Sequence, residues 1–384
     1  MGRRRVKKVL FLTGSRGEWG YIKPLIELIK NKGEIDYSIC VTNMHLLPNH
    51  GNTYEEIIND GFKIDYKIHM SIDGYNYYTH LKSLAIFLTS FSDILDSSRP
   101  DCIILAGDRG EQLMGSIASG YTYIPSIHIQ AGERSGNIDG MARHAIGKFS
   151  HIHIASSKDA EERLIKLGEE KFRIKKFGAP QIDDMIKHTK KLSDFKEFDN
   201  LKEKKYFLVV QHPVTEEYSE SYIQMKATLN ALKKYDCKKV LILPNNDTGT
   251  IEVQKAINEN IDSSYLIFSN LSREMYLTLL KFSNLIIGNS SSGLLEAPTY
   301  KIPSVNIGRR QEGRERGINV IDVSLFIEFE ISKAIDKAIS NDFNDYLTEN
   351  CFNPYGDGYS SERIYDLILN LEINDIVLTK NLTY

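Results

Sequence analysis

A polar stretch, "HIQAGERSGNIDGMARHAIGKFSHIHIASS", runs from His128 to Ser157 and begins and ends like a buried strand. It brings two carboxylates, Glu133 and Asp139, close in sequence to the neighbouring Arg143 and His144. Carboxylates and histidines clustered in a partly buried place have perturbed proton affinities, which acid-base chemistry requires. We therefore predict that these polar side chains line a site and that the core itself is apolar.

Two more acid-base candidates follow other apolar runs. Asp108 comes from the neighbouring segment "ILAGDRGE", and His212 comes from "VVQHPV" in the second half of the chain. The remaining histidines of the polar stretch, His128, His151 and His153, alternate along strands in a spacing that resembles no zinc pattern. We interpret these three as packing or hydrogen-bonded residues, and we predict no metal site.

A glycine-containing loop, "LTGSRGEWG", follows the first apolar run. Its glycines, Gly14, Gly17 and Gly20, are spaced by three and do not form the dinucleotide pattern G-x-G-x-x-G. The chain also lacks G-x-x-x-x-G-K-[ST], so neither NAD binding nor a nucleoside triphosphatase is favoured. A cation, Arg16, and a carboxylate, Glu18, near a helix start suit a phosphorylated ligand.

A second loop, "IIGNSSSGLLEAPTY", combines a strand, three hydroxyls, a glycine and a helix start, which aim N–H groups and a helix dipole at an anion. We predict that Ser290 and Ser291 contact a diphosphate and that Glu296 accepts hydrogen bonds from ribose hydroxyls. The alternative is a serine N-cap followed by a solvent-facing glutamate. In "NIGRRQEGRERG", Arg310 or Arg314 either neutralises the same phosphates or belongs to a solvated charged loop.

Short apolar runs alternate with amphipathic segments along the chain, which predicts βαβ units and parallel, doubly covered sheets. Ligands of such sheets bind beyond the carboxyl ends of the strands, where these polar residues and His45 fall. The charged segment 188–204 is interpreted as an interdomain connection. We predict an N-terminal domain over 1–185, a nucleotide-binding domain over 186–354, and a C-terminal helix within 355–384 that packs back on the first domain.

Bulk properties restrict the function further. A chain of 384 residues predicts two domains, and a net charge of −3 does not favour nucleic acid or an anionic membrane as partner. The four cysteines are far apart and form no C-x-x-C pair, which argues against a zinc site or a disulfide framework. The first residues lack the apolar region of a signal peptide, and no run approaches the roughly 20 residues of a membrane span. We expect a soluble, cytoplasmic protein.

These motifs together resemble a known family. "TGSRGEWG", "HGNTYEEI", "AGDRGE", "QHPV", "GNSSSGLLEAP" and, most specifically, "AGERSGNIDGMARHAIGKFSHIH" are similar to the hydrolysing UDP-N-acetylglucosamine 2-epimerases of sialic acid biosynthesis. The similarity covers nearly the whole chain. It implies a GT-B architecture of two Rossmann-like domains with the active site in the cleft between them, no metal, no bound NAD, and a homodimer or homotetramer.

The resemblance also implies roles for single residues. The matching catalytic positions are Asp108, Glu133, Asp139 and His212, and the nucleotide-binding positions are Arg16, Arg109, Ser290, Ser291, Glu296 and Arg310. His45 matches a cleft histidine of the family. Glu18, Arg143 and His144 are predicted to line the substrate cleft from their own places in the motifs. The implied reaction is anti elimination of the nucleoside diphosphate across C1 and C2 to a 2-acetamidoglycal, followed by hydration that inverts C2. Which carboxylate serves which step stays open.

Some alternatives stay open as well. The family often has Arg-Ala-Asp where this chain has Arg16-Gly17-Glu18, so the nucleotide base and the C4 and C6 substituents of the hexose are not fixed. Related enzymes act on UDP- or GDP-linked N,N'-diacetylbacillosamine for legionaminic acid synthesis. A GT-B glycosyltransferase would share the architecture without needing the carboxylate cluster, and a non-catalytic nucleotide-sugar sensor would bind its ligand unchanged. A non-hydrolysing epimerase would differ only in its product.

Overall fold

The computed structural model describes residues 6–383 apart from 49–51, 73–76, 135–137, 188–189, 245–248 and 270. The chain divides into two compact units. Unit 1 comprises Met1–Asp184 together with Gly358–Tyr384, and unit 2 comprises Met185–Asp357. Each unit contains one parallel β-sheet with helices between its strands.

Unit 1 has a seven-stranded sheet of order β3-β2-β1-β4-β5-β6-β7. Its strands are β1 (Lys7–Thr13), β2 (Ile35–Thr42), β3 (Tyr66–Ile68), β4 (Cys102–Ala106), β5 (Ser126–Ile129), β6 (Ile152–Ala155) and β7 (Ile174–Lys176). The helices before the division are α1 (Arg16–Lys32), α2 (Tyr54–Asn59), α3 (Tyr77–Ser98), α4 (Gly110–Thr122), α5 (Ile138–Phe149) and α6 (Lys158–Lys166), and α7 (Pro180–Lys187) spans the division. The central strands are buried on both faces, as continuous apolar runs in a parallel sheet require.

Unit 2 has a six-stranded sheet of order β10-β9-β8-β11-β12-β13. Its strands are β8 (Tyr206–Val210), β9 (Lys238–Ile242), β10 (Tyr265–Phe268), β11 (Leu285–Gly288), β12 (Ser304–Ile307) and β13 (Val320–Val323). Its helices are α8 (Ser221–Leu232), α9 (Thr250–Asn260), α10 (Arg273–Phe282), α11 (Ser292–Leu295), α12 (Glu328–Ile339) and α13 (Asn341–Asn350). In both sheets the strand order reverses once, between β1 and β4 in unit 1 and between β8 and β11 in unit 2.

The chain returns to unit 1 through α14 (Ser360–Asn370) and α15 (Asp375–Leu378). α14 packs on α1, where Ile364, Tyr365 and Ile368 are buried in the same apolar cluster as Ile22 and Ile26. The unit 1 core is therefore closed by residues from the far end of the sequence. No helix in the described residues is both long and apolar enough to cross a membrane.

Two features differ from the sequence prediction. The short strands β3, β7 and β13, which lie at sheet edges, were not predicted, because three or four residues with polar members carry no clear periodicity. The interpretation of 188–204 as a connection was wrong for its described part. Leu192, Phe198 and Leu201 are buried in a core cluster of unit 2.

Candidate active site

The loops after β1, β2 and β4 meet at the carboxyl edge of the unit 1 sheet, at its strand-order reversal. Glu18 lies in the first turn of α1, whose N-cap is Ser15, and it is only 2 % exposed. Its Oε2 accepts hydrogen bonds from the Gly14 N–H at 2.5 Å and from Nε2 of Gln112 at 2.9 Å. Glu18 is thus an interior carboxyl group held by neutral donors.

Glu111, in the first turn of α4, is a second buried carboxylate of this edge and is 0 % exposed. Its Oε1 accepts hydrogen bonds from Nε of Arg109 at 3.1 Å and from Nδ2 of Asn43 at 3.0 Å. Burial, followed by the charge of Glu111, raises the pKa of Glu18 well above its usual value. A side chain at Gly14 would overlap the Glu111 carboxylate, because a Cβ there would lie 2.8 Å from Cδ of Glu111.

His45 is fully buried between two threonines. Its Nε2 lies 3.0 Å from Oγ1 of Thr13, and its Nδ1 lies 2.8 Å from Oγ1 of Thr53. Burial lowers the pKa of His45 to about 4, so the ring is neutral at physiological pH. Arg16, at the start of α1, forms an ion pair with Glu56 of α2 on the surface rather than with Glu18.

Asp108 follows β4 and forms an ion pair with Arg143 of α5. The same guanidinium donates through NH1 to the carbonyl of Gln130 after β5, at 2.7 Å. Arg143 is 6 % exposed. Because it contacts both Asp108 and Gln130, it links the ends of the neighbouring strands β4 and β5. This pair brings together two residues that lie 35 positions apart in the sequence.

Glu133 follows β5, and its Oε1 accepts a hydrogen bond from the hydroxyl of Ser156, which follows β6. Asp108 and Glu133 therefore both lie beyond the carboxyl ends of adjacent parallel strands. Asp139 lies in the first turn of α5, and its side chain lies outside the described residues. Nδ1 of His144 is buried without a hydrogen-bond partner among the described residues, and burial, Arg163 and Arg143 lower the pKa of His144.

The three other histidines of the polar stretch are interior hydrogen-bonded residues, as predicted. Nε2 of His128 lies 2.7 Å from the Gly107 carbonyl, and Nδ1 of His151 accepts from the Ser126 N–H at 3.1 Å. His153 lies 2.9 Å from Oε2 of Glu169. The described residues contain no group of three or more His, Cys, Asp or Glu side chains arranged to hold a metal ion.

In unit 2, Asn289 organises the strand-order reversal. Its side chain accepts from the His212 N–H at 2.7 Å and donates to the His212 carbonyl at 2.8 Å, which fixes the turn after β8. The Asn289 carbonyl accepts from NH1 of Arg310 at 3.3 Å and from Nε2 of Gln311 at 2.9 Å. Asn289 thus holds His212 and Arg310 at the end of β11.

The serine loop differs from the predicted helix start. α11 has four residues and is followed by a 3-10 turn, Ala297–Tyr300, because Pro298 lacks the N–H that an α-helix would need. Glu296 is therefore the C-cap of α11, and the predicted helix does not continue past it. Ser291 precedes the first turn of α11, and Oγ of Ser290 accepts from the Ser292 N–H at 3.3 Å.

Glu296 also faces protein donors rather than solvent. Its Oε1 pairs with NH1 of Arg273 at 2.5 Å, and its Oε2 accepts from the hydroxyl of Ser292. Gly288, directly before the loop, has φ of 132°, and a Cβ there would overlap the Val210 carbonyl. The loop is therefore pressed against the end of β8, and only glycine fits at its base.

Sequence reasoning missed three residues that hold the candidate site together, Asn43, Glu111 and Ser156, and identified Asn289 only as a polar residue after a strand. Glu111 lies three residues after Asp108, at the first turn of the following helix, which was the available signal. Asn43, Ser156 and Asn289 each follow a strand directly or after one residue. The predicted residues also follow strands, so position alone would have indicated these residues too. Amides and hydroxyls are common in loops, however, and position therefore does not distinguish site residues among them.

Two doubly wound parallel sheets, each with polar loops at its strand-order reversal, define an α/β protein of the GT-B type. A sequence model of the UDP-N-acetylglucosamine 2-epimerase family matches residues 27–369. The chain belongs to this family, and both the predicted fold class and the predicted family are confirmed.

Individual relatives cover nearly the whole chain. It is 34% identical over 378 residues to the UDP-N,N'-diacetylbacillosamine 2-epimerase (hydrolyzing) of Legionella pneumophila, covering 98% of this chain and 99% of that protein. It is 32% identical over 374 residues to the UDP-N-acetylglucosamine 2-epimerase of Neisseria meningitidis, covering 96% of each. A crystal structure of UDP-GlcNAc 2-epimerase from Neisseria meningitidis bound to UDP-GlcNAc has a TM-score of 0.79 at 20% identity, covering 95% of this chain and 100% of that one.

Proposed function

We propose that this protein is a hydrolysing nucleotide-sugar 2-epimerase that converts UDP-N-acetylglucosamine to UDP and N-acetylmannosamine. The observation that carries the proposal is the pair of carboxylates, Asp108 and Glu133, beyond the ends of the adjacent strands β4 and β5. Each is held by a side chain from another element, Arg143 for Asp108 and Ser156 for Glu133. Family membership supports the same substrate class.

The proposed reaction has two steps. In the elimination, a carboxylate removes the proton from C2, the C2–H electron pair forms the C1–C2 double bond, and the C1–O bond to UDP breaks with its electrons leaving on UDP. In the hydration, water adds its hydroxyl to C1 and a proton returns to C2 from the opposite face. The products are UDP and the C2-inverted free sugar, so atoms and charges balance.

Glu133 is the base that we assign to the elimination. Asp108 is stabilised as the ion by its contact with the Arg143 guanidinium, which makes it a weaker base. Glu133 accepts from a neutral donor, the hydroxyl of Ser156. Asp108 then orients the sugar or the attacking water, together with Asp139 and His212, which the family resemblance places among the catalytic residues.

The nucleotide contacts that we propose come mainly from unit 2. Ser290 and Ser291 donate hydroxyl hydrogen bonds to the diphosphate, and Arg310, held at the Asn289 carbonyl, neutralises its charge. Glu296 is fixed by Arg273 and Ser292, with its carboxylate available to ribose hydroxyls as those contacts rearrange. Hydroxyl and guanidinium donors at the leaving group stabilise the charge that develops on UDP.

A second substrate has specific support. The Legionella pneumophila relative, matched over 98% of this chain at 34% identity, is named for UDP-N,N'-diacetylbacillosamine. The same elimination and hydration apply to that sugar, because both substrates carry the acetamido group at C2. UDP- or GDP-N,N'-diacetylbacillosamine is thus the alternative substrate.

Proton NMR of the purified protein in heavy water tests the proposal. With UDP-N-acetylglucosamine we expect UDP and free N-acetylmannosamine that is deuterated at C2. Glu133→Gln, the matched inactive variant, should lose turnover by at least about 100-fold while UDP affinity stays within a few-fold. Glu162→Gln, an exposed carboxylate of α6, should behave as wild type.

Other outcomes of this experiment would change the assigned substrate, product, reaction or base. Turnover of only a diacetylbacillosamine nucleotide would replace the first substrate with the second. A C2-inverted nucleotide sugar without free sugar would indicate a non-hydrolysing epimerase. If UDP-N-acetylglucosamine and UDP- and GDP-N,N'-diacetylbacillosamine all remain unchanged, the epimerase is rejected in favour of a glycosyltransferase or a sensor. An active Glu133→Gln variant would show that Glu133 is not the base.

A further inference from the structure

Glu18 and Glu111 both contact Gly14 in the loop after β1. The Gly14 N–H donates to Oε2 of Glu18, and the Glu111 carboxylate packs against the glycine where a Cβ would otherwise lie. Both carboxyl groups are excluded from solvent. Two acidic side chains are therefore confined together in the interior, beside a single glycine.

Among the residues that the structure describes, the groups around this pair supply one positive charge, that of Arg109, for two carboxylates. The charged groups that face Glu18 are Glu111 and Arg109, and the other donors are the Gly14 N–H and the Gln112 amide. His45, whose backbone N–H donates to the Gly14 carbonyl, has a neutral ring. Burying a second charge without a counter-ion is strongly unfavourable, so one carboxyl group keeps a proton.

The hydrogen bonds indicate which of the two is protonated. Glu111 accepts from a charged donor, the Arg109 guanidinium, and from the Asn43 amide. Glu18 accepts only from neutral donors on its Oε2. Among the described residues, Oε1 of Glu18 and Oε2 of Glu111 are both buried with no hydrogen-bond partner. The proton therefore belongs on Glu18.

We propose that Glu18 and Glu111 share one proton, held on Glu18, and that the remaining charge of Glu111 positions Arg109 for the nucleotide. The nucleotide part rests on the proposed function. Arg109 is the N-cap of α4, and its Nε has Oε1 of Glu111 as a hydrogen-bond partner at 3.1 Å. Glu111 is therefore a positioning residue that acts through Arg109.

The first experiment measures UDP binding by calorimetry, together with kcat and KM. Glu111→Gln keeps the shape but removes the charge, and we expect about tenfold weaker UDP binding, a similar rise in KM and a kcat within a few-fold of wild type. The matched control is Asp96→Asn, an exposed carboxylate of α3 paired with Arg99, which should bind UDP as wild type does.

A double-variant cycle shows whether Glu111 acts through Arg109. If it does, Arg109→Met and the combination of Arg109→Met with Glu111→Gln weaken UDP binding equally. Losses that multiply, or wild-type binding by Glu111→Gln, would overturn the positioning role. If the wild type does not bind UDP, the positioning role is rejected too. Turnover by NMR is a separate readout, so its failure alone rejects only the proposed reaction.

The second experiment tests the shared proton by unfolding at different pH values. Because the folded state keeps a proton on Glu18 that the unfolded state releases above about pH 4.3, the contribution of Glu18 to wild-type stability falls as pH rises toward its raised pKa, opposite in sign to the contribution of the buried histidines. Glu18→Gln lacks this contribution. The ratio of the unfolding constants of the wild type and the variant should therefore change by up to tenfold per pH unit. Parallel stability curves would show that no proton is shared.

An infrared measurement keeps the shared proton testable if Glu18→Gln does not fold. A protonated buried carboxyl gives a carbonyl stretch that ionised carboxylates lack, and the wild-type protein should show it at neutral pH. Its absence from the wild-type spectrum would overturn the shared proton.

Discussion

Gly14 packs directly against the Glu111 carboxylate, which leaves no room for a side chain. We expect Gly14→Ala to destabilise the protein by about 1–3 kcal/mol, because Glu111 must move away from Arg109 and Asn43. Urea unfolding measures the loss, and UDP binding should weaken with it.

Gly20 is the matched control for this change. It lies inside α1, and a Cβ there would meet nothing within 4 Å, so Gly20→Ala should stabilise the helix by up to about 1 kcal/mol. Equal effects of the two substitutions would contradict the close packing at Gly14.

Candidate site residues were predictable individually, but their partners were not. Asp108, Glu133 and His212 were predicted because each follows an apolar run. The carboxyl ends of parallel strands lie at one edge of a sheet, where ligands bind. The partner of each was decided by strand order, which brings residues distant in sequence together. Arg143 was expected in the cluster, but its ion pair with Asp108 follows from the packing of α5 and was not predictable.

At the scale of elements, the C-terminal segment after α15 is fastened to the end of α5. The ammonium group of Lys380 donates to the carbonyls of Gly147 at 2.6 Å and Ser150 at 2.7 Å and lies 2.7 Å from Oε2 of Glu169. Burial lowers the pKa of Lys380 to about 8. Arg173 holds α15 and the residue after it by donating to the carbonyls of Ile376, Val377 and Thr379.

Lys380→Met should therefore destabilise the protein by about 1–3 kcal/mol, since it leaves two helix-end carbonyls without their donor and leaves Glu169 with Lys148 and His153 alone. Chemical denaturation measures the effect. The control is Lys158→Met, an exposed lysine of α6, which should change stability by less than about 0.5 kcal/mol. An unchanged midpoint for Lys380→Met would show that the segment is not fastened by this residue.

The elements themselves were largely predictable, because buried parallel strands are continuous apolar runs. Prediction failed where burial is partial or comes from distant contacts. The edge strands β3, β7 and β13 are short and partly exposed, and 190–204 carries many charges although Leu192, Phe198 and Leu201 pack into a core. α11 ends after four residues, at Leu295, because Pro298 three residues later cannot donate the N–H that a longer α-helix needs.

For the molecule as a whole, buried neutral histidines set the response to acid. Burial lowers the pKa of His45, His151 and His153 to about 4 and that of His128 to about 3. The unfolded chain takes up protons on these side chains below about pH 6.5, whereas the folded protein does not. Their contribution to stability is complete above pH 6.5 and is lost as pH falls toward 4.

We expect the free energy of unfolding to fall by several kcal/mol between pH 6.5 and 4, because each histidine that stays neutral in the folded protein loses on the order of 1.4 kcal/mol for every drop of one in pH. Urea unfolding at a series of pH values measures it. His45→Gln should reduce the slope, whereas His80→Gln, an exposed control on α3, should leave it unchanged. A flat stability profile over this range would mean that the four rings are protonated in the folded protein.

The return of α14 to unit 1 has a consequence for synthesis on the ribosome. Unit 2 is one contiguous segment, so all its strands and helices have been translated before α14. The face of α1 that Ile364, Tyr365 and Ile368 cover stays exposed until the last part of the chain emerges. Unit 1 is therefore translated first but completes its core last. A premature stop codon before α14 leaves the apolar face of α1 exposed to chaperones and to aggregation.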